Sequence, residues 1–445
     1  MVPDIIFNPV ISVIGAGHLG TTLAVTMAHQ GFDVVGFDWD EDRTGRLGKG
    51  DLPFYEPGLK MMLDQARASG RLRWTTSLEE AAALADIHFL CIVAPQQPDG
   101  GAADLRMLYT AVDQLAAHLK RRCLVVGKAS APPGTAHSVE QRLLTLAPAG
   151  EDVQLAWSPQ PIREGMAILD ALKPDRLVFG VNSTWALKQL RAVHSPLLIQ
   201  GTPAIVSDFA TTELAYFAAN AFLAVKTSFI NAMAEMCEAT GADVLRLADT
   251  LGHDSRIGCS FPNPGIGFSD RHLLNDLHVL QSLGEQLGLV ATSALLHDVA
   301  YVNHHCRVRA VKLIKSALGG DLRGQRIAAL GASLKPGSDD ASNSPALDVA
   351  DRLRQEEADV VVYDPMAMAN AQHAHPELYF APTLRAALQE ADAILLLTGS
   401  QEFVELAPST ASNLTRRDIV IDCCNALDAD QWRASGWKYH AIGRH

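Results

Sequence analysis

The sequence predicts an α/β protein of two doubly wound parallel-sheet domains joined by a helical domain with one long central helix. Three observations carry this. A short β-branched strand, Ile11-Ser-Val-Ile, runs straight into Gly15-Ala-Gly17-His-Leu-Gly20 and then into a helical pattern. After Arg323 a second alternation of apolar strands and helices begins. Between them lies Thr211 to Asn231, apolar on most faces, free of Gly and Pro, and continuing to about Glu238.

At 445 residues the chain should hold two or three domains around a large core. The expected boundaries are 1–200, 201–318 and 319–445. Hydrophobic content of 48% with 20% charged residues is that of an ordinary water-soluble protein. A net charge of -13 without a Lys/Arg run argues against binding nucleic acid. The seven cysteines are odd in number and lack CxxC spacing, so neither a disulfide frame nor a zinc or other metal site is expected, and a cytoplasmic location is. Met1-Val-Pro-Asp-Ile shows no basic segment followed by an apolar one, so no secretory leader is expected. Glu213 and Lys226 fall inside any window of about 20 residues along the central stretch, which reads as a buried spine and not a membrane span. Its polar residues Glu213, Asn220, Lys226 and Asn231 therefore need partners or a purpose.

In the first domain the glycines have strand before and helix after, the context a dinucleotide fingerprint requires. A second strand, Asp33-Val-Val-Gly-Phe, ends at Asp38, 18 residues beyond Gly20. That geometry brings a pyrophosphate to the helix N-terminus and a ribose hydroxyl to the acid, which favours NAD over NADP. Gly15, Ala16, Gly17, His18, Leu19, Gly20 and Asp38 are the candidate cofactor residues, with Arg43 close by. A glycine turn in a non-binding α/β protein is the competing reading. Strands Ile87-His-Phe-Leu-Cys-Ile-Val and Cys123-Leu-Val-Val-Gly end at Ala94 and at Lys128-Ala-Ser130, and both ends should border the cofactor. Ser130 offers a hydroxyl there, or is a turn residue capping a helix.

Further segments resemble the UDP-glucose / GDP-mannose dehydrogenase family from end to end. They include Phe54-Tyr-Glu-Pro-Gly-Leu59, Arg163-Glu-Gly165, Glu213-Leu-x-x-x-Ala-Ala-Asn220, Pro264-Gly-x-Gly267-Phe, Leu334-Lys335-Pro and Tyr363-Asp-Pro365. The resemblance implies an N-terminal Rossmann domain, a dimerising central helix, and a C-terminal Rossmann-like domain closing over a nucleotide sugar, most naturally a UDP-sugar. Family members oxidise a sugar C6 hydroxyl to a carboxylate in two NAD-dependent hydride transfers, the second through a thioester on cysteine. Substrate contacts carried over from the family are Gln160, Arg163, Tyr216, Asn220, Arg256, Phe261, Asn263, Gly265 and Lys335. Ala94, Ser130 and Glu164 carry over as cofactor contacts.

The catalytic positions depart from the family. Its Gly-Tyr/Phe-Gly-Gly-Ser-Cys-Phe-x-Lys-Asp segment reads Gly267-Phe-Ser269-Asp270-Arg271-His272-Leu273-Leu-Asn275-Asp276 here, with His272 at the cysteine. Tyr216 replaces the lysine of Glu-Leu-x-Lys while Asn220 remains, and Gln160 replaces the glutamate of Asn-Pro-Glu. Cys259 lies beyond a Pro-Asn-Pro-Gly turn and does not substitute for the missing nucleophile.

Three readings follow. The first is an NAD-dependent dehydrogenase acting on CH–OH by one two-electron step, with His272 as base, Asp276 one turn on to orient it, Tyr216 and Asn220 at the alkoxide, and Ser130 at a hydroxyl. Against it, His272 could be a packing histidine paired with Asp270. The second is an NAD-binding pseudoenzyme that dimerises through the spine. The third is an enzyme with another substrate, for instance in secondary metabolism. Ordinary four-electron oxidation to a uronate is the remaining alternative.

Beyond the spine, Leu273 to Leu289 and Ala294 to Leu318 read as helices, the latter carrying Asn303 and the adjacent His304 and His305, which read as polar surface. Strands Arg326-Ile-Ala-Ala-Leu, Asp359-Val-Val-Val-Tyr and Ala393-Ile-Leu-Leu-Leu form the second Rossmann-like unit. Its first strand–helix turn has no GxGxxG, so a second NAD is not expected there.

Overall fold

The computed structural model describes residues 8–95, 103–163, 165–258, 264–268 and 271–444, except the side chains of Arg271 and His272. The chain divides into two compact units, Met1–Ala219 and Asn220–His445, and the division falls inside the central helix.

The first unit holds β1 (Ile11–Ile14), β2 (Val34–Phe37), β3 (Leu72–Thr75), β4 (Ile87–Leu90), β5 (Cys123–Gly127), β6 (Val153–Trp157), β7 (Leu177–Val181) and β8 (Ala204–Ser207). They form one sheet in the order β3-β2-β1-β4-β5-β6-β7-β8. Ile11 stands opposite Val34 on one side and Ile87 on the other, both in parallel register. Helices cover both faces, so the inner strands bury every residue and read as unbroken apolar runs. Ile11 and Val13 join one core with Leu23 and Phe89, while Ile14 joins the other with Val35, Leu90 and Val125. On that second face Ser12 Oγ meets His88 Nδ1 at 2.7 Å, and His88 Nε2 is buried without a partner.

The expectation of an all-parallel sheet needs one correction, because β6 and β7 pair antiparallel through Trp157 and Gly180. Strands β3, β6, β7 and β8 were not expected. The edge strands explain themselves: β3 buries only Leu72, and β8 exposes Ile205 and Val206, so neither shows the apolar run of an inner strand.

In the second unit β9 (Arg326–Leu330), β10 (Asp359–Tyr363), β11 (Tyr379–Phe380), β12 (Ala393–Leu396), β13 (Ile419–Asp422) and β14 (Lys438–Ala441) form a parallel sheet in the order β11-β10-β9-β12-β13-β14. Three of these strands, β11, β13 and β14, were not expected, and β11 is only two residues long. The helices Arg271–Gln286 and Val290–Ala317 pack together as a hairpin closed by a turn at Gly288.

The central helix runs from Phe209 to Thr240, two residues past its expected end. The expectation that it is buried on most faces is corrected. Phe217, Ala221, Ala224, Ser228 and Asn231 form a buried stripe at alternating spacings of four and three, while Leu214, Phe222, Leu223, Phe229 and Met236 are exposed.

Candidate active site and cofactor cradle

The turn after β1 gives each glycine a separate task. Gly15 has φ +99°, a left-handed conformation open to glycine. A Cβ on Gly20 would stand 1.8 Å from the Gly15 carbonyl oxygen, so only glycine lets the helix His18–His29 pack so tightly on the turn. A Cβ on Gly17 would meet nothing within 4 Å, which marks the open side from which a pyrophosphate can approach. Gly17 makes no side-chain cap bond, so the first-turn N–H groups of His18, Leu19 and Gly20 are available to an anion at the helix start. Ala16 is different from its expected role: its N–H donates to Asp38 Oδ2 at 2.7 Å.

Asp38 is buried at the end of β2, and its Oδ2 also receives Arg43 Nη1 at 3.1 Å. Its Oδ1 receives only the Asp40 N–H, at 3.0 Å, and so keeps a lone pair for a ribose hydroxyl. The second unit supplies the contrast. Asp364, at the end of β10, accepts from Ala332 N–H, Ser333 N–H and Ser333 Oγ on Oδ2, and from Met366 and Ala367 N–H on Oδ1. Those bonds fill the carboxylate and leave nothing for a ribose.

Ala94 and Ser130 follow β4 and β5 and are both half-buried. The loop after Ser130 is held by Glu213, whose carboxylate accepts Gly134 N–H at 2.7 Å and Ala136 N–H at 2.6 Å, where the helix Thr135–Leu146 begins. Glu213 thus has its reason for being buried. Burial pushes its carboxyl up to about 7, against the pull of these backbone donors. Lys128, on the same loop, is also buried, and desolvation lowers its ammonium to about 8.

Gln160 donates from Nε2 to the Asp170 carbonyl at 3.0 Å, and Arg163 grips the Asp170 carboxylate through Nε and Nη2. Gln160 is therefore an anchored neutral amide, and the Asp170 carboxylate beside it is already engaged by Arg163. Glu164 lies outside the described residues.

In the second unit Asn220 donates from Nδ2 to Asp276 Oδ2 at 2.6 Å, joining the central helix to the helix Arg271–Gln286. Asp276 is 6% exposed. Asn220 makes no other side-chain bond among the described residues, so its oxygen and second N–H can meet a substrate oxygen. Tyr216, one turn earlier on the helix, packs edge-on against Phe217. His272 falls in the first turn of its helix, four residues before Asp276, with its side chain outside the description.

A cavity of about 380 Å³ in this unit is lined by Asn231, Gly265, Gly267, Lys335, Thr398 and Cys424, among others. It brings together two expected substrate residues, Gly265 and Lys335. A Cβ on Gly265 would sit 2.9 Å from the Cys423 carbonyl oxygen, and the buried Thr398 Oγ1 has no partner among the described residues. One lysine, an orphan hydroxyl and open backbone suit a polar, anionic ligand. Arg256 is placed elsewhere: it is exposed, pairs with Asp254 Oδ2 at 2.6 Å, and does not line the cavity. Phe261 and Asn263, like Cys259, lie outside the described residues.

Sequence reasoning missed the residues that hold the cavity wall. Asn231 Oδ1 accepts Gly265 N–H at 2.8 Å, and Asn425 Nδ2 donates to Pro264 O at 3.1 Å. Asn303 is buried and bonded to the Phe268 backbone, while its neighbour His304 is exposed as expected. The register of Asn303 with the apolar Val299, Cys306 and Ala310 is the signal that could have pointed to it.

Comparison with known proteins now decides the family. The UDP-glucose/GDP-mannose dehydrogenase family matches the chain in three parts: its NAD binding domain over residues 10–198, its central domain over 210–305 and its UDP binding domain over 328–429. The chain belongs to this family. UDP-glucose 6-dehydrogenase of Rhizobium meliloti (strain 1021) is 36% identical over 440 residues, covering 98% of this chain and 99% of the relative. That of Rickettsia typhi is 34% identical over 435 residues, covering 97% and 99%. A solved UDP-glucose dehydrogenase from Pyrobaculum islandicum superposes with a TM-score of 0.88 at 32% identity, over 98% of each chain. By family the protein is an NAD-dependent nucleotide-sugar dehydrogenase, acting on CH–OH and resembling UDP-glucose 6-dehydrogenase. NAD is its cofactor, and the turn at Gly15–Gly20 with Asp38 fits that group. Among the described residues no helix is long and apolar enough to cross a membrane, and no cluster of three metal-ligating side chains occurs.

Proposed function

We propose that the protein oxidises an alcohol of a nucleotide sugar, with a UDP-sugar as the preferred class, in one two-electron step without a thioester. The observation that carries this is the state of the thiols. Burial pushes Cys91 and Cys123 up to about 12 and Cys306 to about 11. Cys424, which borders the cavity, is raised well above its ordinary value by burial and by Asp422. None of these described thiols is a ready thiolate nucleophile.

Bound NAD supplies a hydride acceptor. In the proposed step His272, standing at the family's cysteine position, takes the hydroxyl proton as the C–H bond gives up its electron pair, and a carbonyl forms. Asn220, held by Asp276, hydrogen-bonds the developing alkoxide, and Tyr216 adds a second donor. Ser130 holds a hydroxyl of the sugar, and Lys335 neutralises phosphate charge at the cavity. Gln160 and Arg163 orient the sugar from their shared anchor on Asp170.

The test follows NADH absorbance with NAD and a panel of UDP- and GDP-sugars. One equivalent of NADH per sugar, lost in His272→Ala, supports the reading; two equivalents and a uronate overturn it. A second reading, an NAD-binding protein without turnover, is favoured by the joint replacement at positions 160, 216 and 272. It predicts a thermal shift with NAD and no NADH from any sugar. The exposed Phe222, Leu223, Phe229 and Met236 further support a homodimer through the central helix, and a cytoplasmic location belongs to the same proposal.

A further inference from the structure

The backbone is held by one carboxylate at Arg163 and by another at Gly165 and Ala167. Asp170, buried at the end of the loop, accepts Arg163 N–H at 2.8 Å. Glu56, 3% exposed, accepts Gly165 N–H on Oε2 and Ala167 N–H on Oε1, both at 2.9 Å. The bond at Gly165 fixes a residue at φ +79°, where the chain has taken a conformation reserved for glycine.

Glu56 has a third partner. His18 Nε2 lies 3.1 Å from the same Oε2 that holds Gly165. The imidazole is braced from the side by Phe54, with ring centroids 4.5 Å apart. His18 is also the first residue of the helix whose N-terminus would receive a pyrophosphate. One residue therefore touches the cofactor cradle with its backbone and the loop's anchor with its side chain.

We propose that His18 and Glu56 are positioning residues that couple cofactor binding to the backbone geometry at Gly165 and Ala167. A pyrophosphate that fixes the His18 N–H removes freedom from the imidazole. The imidazole then fixes the Glu56 carboxylate, and the carboxylate fixes the amides of Gly165 and Ala167. A carboxylate as deeply buried as Glu56 needs these donors to satisfy its oxygens, so the four groups order together. NAD binding thus tightens contacts that the chain already makes around Gly165 and Ala167. The proposal rests on NAD binding at the first helix and not on the sugar chemistry.

The test is hydrogen–deuterium exchange on the full chain, with and without saturating NAD, occupancy being measured by titration in the same samples. In the natural chain NAD should slow exchange at Gly165 and Ala167 by about tenfold. His18→Phe keeps the ring against Phe54 but loses Nε2, and when saturated with NAD it should show less than about twofold protection. His18→Gln restores a donor and should recover the effect. Glu56→Gln exchanges an acceptor for a donor and serves as the second variant should His18→Phe fail to fold; it too should lose the NAD-dependent protection. Full protection in His18→Phe, an unrecovered effect in His18→Gln, or NAD binding without protection in the natural chain overturns the proposal. Absence of NAD binding overturns it together with the cofactor assignment, and the titration separates the two failures.

Discussion

The carboxamide oxygen of Asn303 occupies the space that a side chain on residue 267 would need: a Cβ on Gly267 would fall 2.5 Å from it. That approach lets Asn303 Oδ1 accept Phe268 N–H at 2.7 Å while its Nδ2 donates to the Phe268 carbonyl at 3.3 Å. A side chain here pairs with the backbone as a neighbouring strand would. The segment it holds forms one wall of the cavity and leads towards His272.

Asn303→Ala leaves a buried N–H and C=O without partners, which should cost about 1–3 kcal/mol of stability. Urea unfolding reads this as a lower midpoint at unchanged slope. Gly267→Ala should be the more severe change, because φ +97° and the contact with Asn303 both oppose a Cβ.

Asp38→Ala removes the ribose acceptor and the partner of Arg43. NAD affinity should fall roughly ten- to a hundredfold, the worth of a charged hydrogen bond. Arg43, released from Asp38, should also narrow the preference for NAD over NADP. Parallel fluorescence titrations with the two cofactors check both outcomes.

Glu213→Ala orphans the N–H groups of Gly134 and Ala136 at the start of a helix, with an expected loss of roughly 1–3 kcal/mol. Thermal unfolding of the variant should begin at lower temperature, and exchange at Ala136 should rise in the native state.

The buried imidazoles govern the acid limb of stability. Desolvation holds His88 and His194 down to about 3, below the ordinary value of 6.5. Between those values the unfolded chain binds protons that the folded chain refuses, so stability falls as pH drops from about 6.5 towards 3. Each histidine contributes a slope of about 1.4 kcal/mol per pH unit. The paired variant Ser12→Ala with His88→Leu removes one of the two without orphaning the serine hydroxyl. Its denaturation midpoints should depend less steeply on pH across this window.

Restoring the family's groups tests the proposed chemistry from the other direction. Gln160→Glu, Tyr216→Lys and His272→Cys together should raise the yield from one NADH per sugar towards two, with a uronate as product. Single replacements should not, since groups that act as a unit are strongly non-additive. Mass analysis of the product, alongside NADH counting, decides it.

The cofactor cradle was legible because glycine reports backbone conformation directly: Gly15 and Gly20 stand where no Cβ fits. Inner strands such as β1 and β9 were legible for a related reason, being buried on both faces. Asn220 and Asp276 could be named from their places in the family pattern, but their shared hydrogen bond depends on how two distant helices pack. The roles of Glu56 and Asn303 were hidden for the same reason. A buried polar side chain is defined by the backbone it meets, and Glu56 meets residues 109 and 111 positions away. The exposed stripe of the central helix was misread because Phe222 and Phe229 look like core residues in any one-dimensional pattern.

Asp364 carries a consequence for engineering. Its first-unit counterpart keeps one oxygen half vacant, whereas Asp364 is fully committed to its own turn. Grafting three glycines after β9 would therefore not create a second dinucleotide site. The new turn would lose the acid that ties it down before any ribose could recruit that acid. Two copies of one architecture have been made non-interchangeable by where a single carboxylate spends its lone pairs.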